Sequence, residues 1–258
     1  MKAVILQSAY IPWLGYFNLI HEADVFVFLD DVQWTIRDWR NRNRVRTPQG
    51  WSWLSVPTSL EKPYFEYVIK DVKIDNSQNW QRKHLGTLRS GYQKAPYFAE
   101  VYPLLENILG KKHEFVVDLN YELIFGICNY IGLGKTRFLF SQEMNISGEG
   151  KKTEKITGII EAIGGVTAYL SGPAAKLYLD GSKFEEIGVE VAWHEYHHPY
   201  YRQNTWRSNI FISYLSVVDL LFNHGKESLG ILSGTKIIEK PEGIQVVSAD
   251  DYQAGVQR

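Results

Sequence analysis

Apolar residues fall along this chain in two rhythms. Residues 3–6 (Ala-Val-Ile-Leu) and 25–29 (Val-Phe-Val-Phe-Leu) are short unbroken runs rich in β-branched and aromatic side chains. Such runs predict strands buried on both faces of a parallel sheet. Between them Leu14, Phe17, Ile20 and Ala23 recur at helical spacing, as a crossover helix packed on that sheet requires. Pro12 is expected to open this helix, because the first helical position needs no backbone donor. Polar residues stand where the two strands end: Gln7 after the first, and Asp30, Asp31 and Gln33 after the second. Ligands in open α/β sheets bind outside the carboxyl ends of strands, so this shared edge is the expected site. The plainer reading is that Asp30 and Asp31 begin a solvated loop.

The next segment changes period. Arg40, Arg42, Arg44 and Arg46 occupy alternate positions, which on a strand puts four guanidinium groups on one face. Thr47-Pro48-Gln49-Gly50 reads as a turn, and residues 51–56 as the returning arm of a hairpin. Such a ribbon suits a phosphate or carboxylate, since Arg offers planar paired donors; an edge strand kept soluble by charge is the alternative. Residues 67–74 read as a strand. Helices follow from a cap at Asn76 or Ser77 to Gly91, over 97–109 to Gly110, and over 114–131 to Gly132, so that about 77–134 forms a helical insertion. Strands are then expected at 136–140, 167–170 and 189–193, with helices at 153–163 and 213–223. From Gly234 the periodicity is lost. The expectation is a single α/β domain over 1–233, with a Rossmann-like, mostly parallel sheet flanked by helices, followed by a tail over 234–258 that wraps or frays.

Composition narrows the class. The formal net charge is −1 over 258 residues, so charge nominates neither nucleic acid nor a membrane surface as partner. No run of eighteen apolar residues and no signal-peptide pattern occurs, and a cytoplasmic protein is expected. Aromatic residues make up 14%, including 8 Trp and 16 Tyr; these supply stacking surfaces for sugars or bases, or simply core. The lone cysteine, Cys128, lies in an apolar helical stretch and reads as core.

Two motifs mislead. Residues 148–153 (Gly-Glu-Gly-Lys-Lys-Thr) suggest a phosphate loop, but position 145 is Asn and Lys152 follows Lys151, so the pattern fails twice. His194-Glu195-Tyr196-His197-His198 matches a zinc-protease pattern that works only on a helix. Here a strand-like run precedes it and Pro199 follows. On a strand the outer histidines would stand about 13 Å apart at ~3.3 Å per residue, too far for one metal, so no metal site is read. His197, His198, Tyr200, Tyr201, Arg202 and Gln203 instead form a polar and aromatic cluster at a strand's carboxyl end. A third cluster runs from Tyr169 to Asp180, where a strand delivers Ser171 and Gly172 to a turn and Pro173 opens a short helix carrying Lys176. It suits a phosphate or carboxylate; a tight turn with Lys176 in water is the alternative. Ser171 lacks the Gly-x-Ser-x-Gly elbow of a nucleophilic serine.

Together these residues resemble the WbqC-like family, proteins encoded among polysaccharide and O-antigen genes. The likeness rests on Ile5-Leu6-Gln7, Tyr10-Ile11-Pro12-Trp13-Leu14-Gly15-Tyr16-Phe17, Ala23-Asp24, Asp30-Asp31-Val32-Gln33, Asn41-Arg42-Asn43, Tyr169-Leu170-Ser171-Gly172, His198-Pro199 with Tyr201 and Gln203, and residues 215–225. It implies transfer of glycine or another small acyl group onto a polysaccharide sugar. The opening is also similar to HIGH-type nucleotidyltransferases, in which two histidines around a glycine hold the ATP α-phosphate; Trp13 and Tyr16 stand at those positions here. That likeness implies a HIGH-superfamily-like core and allows ATP with magnesium as a co-substrate.

The expected activity is therefore a transferase or amide-forming ligase that attaches an acyl or aminoacyl group to a small-molecule or nucleotide-linked amino sugar. Asp30 and Gln33 would hold the acceptor. Arg40 and Arg42 would bind carboxylate or phosphate. His198, or His197, would be the general base, and Lys176 would counter developing charge. Tyr10, Trp13, Tyr200 and Tyr201 would stack on sugar or base, with Gln7, Asn43, Ser171 and Gln203 completing the substrate contacts. The rivals are a non-catalytic nucleotide- or sugar-binding protein and a structural partner in a glycan-biosynthesis complex, and an oligomer is compatible with either.

Overall fold

The structure is a computed structural model that describes residues 1–144, 146, 152–203 and 209–251. The Gly148–Lys151 part of the phosphate-loop-like motif lies outside the described residues. In chain order come β1 (Lys2–Leu6), α1 (Leu14–Glu22), β2 (Val25–Phe28), β3 (Arg42–Thr47), β4 (Gly50–Ser55), β5 (Thr58–Ser59) and β6 (Lys73–Ile74). Then follow α2 (Trp80–Tyr92), α3 (Phe98–Leu109), α4 (Val116–Ile131), β7 (Arg137–Phe140), α5 (Lys152–Ile163), β8 (Ala168–Ser171), α6 (Gly181–Glu186) and β9 (Glu190–Trp193). The described chain finishes with β10 (Ile210–Ser213), α7 (Val217–His224), α8 (Ser228–Leu232) and β11 (Gln245–Ser248).

The central sheet is parallel throughout, in the order β7-β2-β1-β8-β9. The mostly parallel, Rossmann-like α/β class expected from the apolar runs is what forms. Alternate residues of β1 and β2 enter two cores. Val4, Phe26 and Phe28 face α1 and the helices α2–α4, with Leu14, Phe17, Leu123 and Ile127. Ala3, Ile5, Val25 and Val27 meet Ile156, Ile159 and Ile160 of α5 and Phe184 of α6. A sheet covered on both faces needs apolar residues at every strand position, and β2 is buried at all four. Cys128 is a buried core residue.

Several local expectations shift. Pro12 lies ahead of α1, and Trp13 takes the N-cap position without a side-chain cap bond. Residues 67–74 make only the two-residue β6, because the chain first turns through short 3-10 segments at Tyr64–Glu66 and Ile69–Asp71. α2 is capped at Asn79, not at Asn76 or Ser77; the Asp75 carboxylate holds the Ser77 and Gln78 side chains and the Ser77 amide in a turn. The hairpin forms as expected, with Thr47 opposite Gly50, whose φ of 132° no side chain adopts easily. β10, α6 and α8 were not legible as elements. Beyond Gly234, β11 pairs in parallel with β10 in a separate two-stranded sheet.

α2 lies against β3 through Gly91, where an added Cβ would meet the Arg46 carbonyl oxygen at 2.4 Å. Nothing stands within 4 Å of the corresponding point at Gly86. Gly91→Ala should therefore lose about 1–3 kcal/mol by pushing α2 off the hairpin, whereas Gly86→Ala should gain about 0.5–1 kcal/mol from helix propensity. Urea unfolding of the two variants reads the contrast.

Candidate functional site

The carboxyl end of β1 is held by a set of polar contacts. The Ser8 amide donates to Asp30 Oδ1 at 2.9 Å, and the Tyr121 hydroxyl donates to Oδ2 at 2.8 Å. Burial pushes the Asp30 carboxyl up from its ordinary value, against the pull of these donors and of the nearby Arg40 charge. Asn120 donates to Ser8 Oγ and to the Arg40 carbonyl. Arg40 returns an N–H to the Ser8 carbonyl at 3.0 Å. The Tyr16 hydroxyl, from the first turn of α1, closes on the Gln7 carbonyl at 3.1 Å.

The loop that follows is clamped from the other side. Ile11 has φ 36°, a strained value for a β-branched residue. Asn43 Nδ2 donates to the carbonyls of Tyr10 and Ile11, and Ser216 Oγ donates to the Ile11 carbonyl. The Val217 amide takes the Pro12 carbonyl and the Ser216 amide takes the Arg44 carbonyl. Gly15 lets the Trp13 indole lie across it, since a Cβ there would sit 2.4 Å from the ring.

Between these contacts lies a cavity of about 380 Å³ at the carboxyl edge of β1, walled by Leu6, Trp13, Tyr16, Trp39, Arg40, Asn43, Arg44 and Tyr214, with Asp250 at its rim. β1 is the strand at which the sheet order reverses, the place where doubly wound folds bind ligands. Ligand pockets occupy roughly 300–1,000 Å³, so this one fits a single small sugar or amino acid. Two other left-handed residues stand beside it: Tyr214 in its wall (φ 59°) and Arg37 (φ 56°), two residues before Trp39. Strained backbone of this kind concentrates at functional sites.

Arg44 is the chemically distinctive wall. It is 5% exposed, and its guanidinium centre lies 5.1, 5.1 and 4.9 Å from the ring centroids of Trp39, Trp51 and Trp53. Indole faces attract a cation but accept none of its in-plane N–H bonds. One nitrogen donates to the Asp250 carboxylate, while Nε and the other terminal nitrogen are buried without a partner. A buried unsatisfied donor costs about 1–3 kcal/mol, more when charged, so the arrangement is poised for an anion.

The remaining expected residues scatter. Trp13, Arg40 and Asn43 line the cavity, and Gln7 and Asp30 brace it from behind. Asn43 does so with its amide committed to backbone. Tyr10 is fully buried, its hydroxyl paired with His84 Nδ1 at 2.8 Å. Arg42 stacks on Trp53 at 4.2 Å and donates to the Arg37 carbonyl. Gln33 bridges to Val68 on an exposed loop. Tyr201 is fully buried and, with Gln203, donates to the buried Asp219. Tyr200 borders a separate recess. Ser171 ends β8 and its carbonyl takes the His194 amide. Lys176 lies 5.3 Å from the Trp193 ring. The zinc-protease pattern is extended backbone, as Pro199 dictates. His194 bonds Asn18, and His197 lines a cleft on the far side of α1's outer face. Among the described residues, no three His, Cys, Asp or Glu side chains gather to hold a metal ion.

His198 stands behind Tyr214, ring centroids 5.0 Å apart. Its Nδ1 donates to the Pro199 carbonyl, which leaves Nε2 as the bare nitrogen, buried and without a partner. Burial lowers its pKa to about 4. Trp39, Tyr214 and Asp250 were not singled out from sequence; Tyr16 was named only within the family likenesses, at a HIGH-type histidine position, and Arg44 only within the alternating Arg row.

The sequence profile of the WbqC-like protein family matches residues 7–231. The chain belongs to the WbqC-like protein family. The match spans the cavity-lining residues except Leu6 and Asp250. Membership points to polysaccharide- or O-antigen-related processes without naming a reaction or substrate. The WbqC-like chain is also similar to the uncharacterized protein Rv1507c of Mycobacterium tuberculosis, 38% identical over 228 residues that cover 88% of this chain and 95% of that one. No solved structure matches it. No helix among the described residues is long and apolar enough to cross a membrane.

A histidine whose folded pKa lies below its unfolded value of about 6.5 binds fewer protons when folded, so its contribution is intact above pH 6.5 and is lost as pH falls toward 4. The difference between wild type and His198→Gln in urea-melt stability should therefore shrink with acidification across that window, by up to about 1.4 kcal/mol per pH unit. A difference independent of pH would mean that His198 is not held neutral.

Proposed function

We propose that this WbqC-like protein attaches a small acyl or aminoacyl group to an amino sugar, free or nucleotide-linked, within the cavity at the carboxyl edge of β1. The observation that carries this reading is a buried guanidinium, Arg44, with two unpartnered nitrogens, in the wall of a cavity that also presents the rings of Trp13, Tyr16, Trp39 and Tyr214. A sugar ring stacks on indole or phenol faces, which Trp13, Trp39 and Tyr214 supply, and an anionic group on donor or acceptor takes Arg44. In the transfer, the sugar amine attacks the activated acyl carbon, the activating group leaves with the bonding electrons, and the amine proton passes to a base. His198 is the base of this scheme, neutral near pH 7 with Nε2 bare. Trp13 and Tyr16 both line the cavity, at the places where HIGH-type enzymes carry the histidines that hold the ATP phosphate, and neither supplies a cation for that phosphate. The reaction is placed in the cytoplasm, where activated sugars and ATP are available.

One observation favours a second reading, a binding protein without turnover. Neither His198 nor Asp30 lines the cavity, and a histidine with a pKa near 4 is a weak base at neutral pH.

The two readings separate in one assay. Purified protein is incubated with UDP-glucosamine as the amine acceptor and, in turn, glycine with ATP and magnesium, or acetyl-CoA, and products are followed by mass spectrometry. The transferase reading expects an N-acylated sugar nucleotide. It also expects Trp39→Ala, an exposed mouth residue, to raise KM about 3–10-fold and His198→Gln to lower kcat. Binding of the sugar nucleotide with no product from any pair selects the second reading, and the absence of binding in the cavity ends both.

A further inference from the structure

The occupant already present at Arg44 identifies the anion. Asp250 Oδ1 lies 2.5 Å from one terminal nitrogen of the Arg44 guanidinium, so the chain's own carboxylate sits at the rim of the cavity on an incompletely satisfied cation. The contact is one-pronged. Nε and the second terminal nitrogen are left bare, although a guanidinium fork matches both oxygens of a carboxylate. Arg40, the other guanidinium in the wall, has Nη1 on the Gln7 and Ser8 carbonyls and Nε 3.7 Å from the Asp38 carboxylate. The Arg44 fork, with its flat pair of donors, matches the two oxygens of a carboxylate.

Asp250 is also placed to leave. Its side chain is 72% exposed, while the Arg44 side chain it meets is 7% exposed, so water can replace Asp250 on its outer side. It follows β11, a strand paired on one side only, with β10. The last anchor before it is Ala249, packed with Ile212, Leu215 and Trp51. Trp51 is itself a wall of the Arg44 cage, so the segment and the cage share a residue.

Building on the function proposed above, we propose that the cavity binds a carboxylate-bearing ligand through the Arg44 fork, and that Asp250 is an internal competitor which this ligand displaces. The carboxylate belongs to the acyl or aminoacyl donor or to an acidic sugar. Occupancy by Asp250 lowers the apparent affinity by the fraction of molecules in which Arg44 is accessible. If Asp250 holds Arg44 in nine molecules of ten, its removal tightens binding about tenfold.

The test uses the full chain and the fluorescence of its indoles, titrated with glycine and glucuronic acid as carboxylate probes, glucose 1-phosphate as the phosphate probe and glucose as the neutral one. Asp250→Asn, at an exposed position, is expected to bind a carboxylate probe about tenfold tighter than wild type. Arg44→Lys, which keeps the charge and loses the fork, is expected to abolish that gain when combined with Asp250→Asn, with thermal melting confirming that the double variant is folded. Three results overturn the proposal: equal affinity in wild type and Asp250→Asn, no carboxylate binding in either, or tighter binding of glucose 1-phosphate than of both carboxylates. The last leaves the sugar-transfer reading standing with a phosphorylated ligand. Conversely, the expected shifts without acyl transfer to UDP-glucosamine remove that reading and leave the Arg44–Asp250 competition intact.

Discussion

The Ile11 carbonyl is the joint on which this molecule turns. Asn43 and Ser216 both donate to it, and in doing so they bring together three segments far apart in sequence: the loop after β1, the Arg-bearing hairpin strand and the start of α7. The strained φ of Ile11 is sustained because several bonds converge there, including Ser216 to the Arg44 carbonyl and Val217 to the Pro12 carbonyl. Released from this joint, Trp13, Arg44 and Tyr214 would have no reason to face one another. The cavity is thus a product of backbone hydrogen bonding, and its side chains are passengers on that frame.

A second consequence concerns charge. Two arginines of the alternating row, Arg44 and Arg46, are buried on the hairpin, but their settings differ. Arg46 sits by the carboxylate of Asp219, whose own charge is opposed by complete burial. Arg44 has three indoles and a carboxylate borrowed from the far end of the described chain. Nε and one terminal nitrogen are bare in both; what sets Arg44 apart is a partner carboxylate whose own side chain is 72% exposed.

The centre of the sheet was legible because parallel strands covered on both faces announce themselves as apolar runs, as β1 and β2 do; β7, β8 and β9 were placed within a residue or two by the alternation of helix and strand. The strand-end rule points to the same edge of β1 at which the cavity lies. The residues that matter there were harder to see. Tyr10 and Tyr201 have the composition of stacking groups, yet each is drawn fully into the core by a polar partner, His84 and Asp219, that no local pattern reveals. Arg42 and Arg44 are indistinguishable by spacing; which of them faces the cavity depends on Asp250 and on cross-strand tryptophans. β10 and β11 are four-residue strands that pair only with each other, too short to stand out from loop.

The register of β1 carries a cost in time. On one side it meets β2, a short helix away; on the other Lys2 lies beside Ala168, and β9 attaches only to β8. Loop closure over such separations is slow and entropically expensive. A chain emerging amino end first can form β1, α1 and β2 early, then must keep one edge of β1 unpaired until β8 arrives. That edge is a run of apolar residues with open backbone groups, the kind of surface that recruits foreign strands, so the nascent protein is most exposed to misassembly along the strand at whose carboxyl edge the cavity forms.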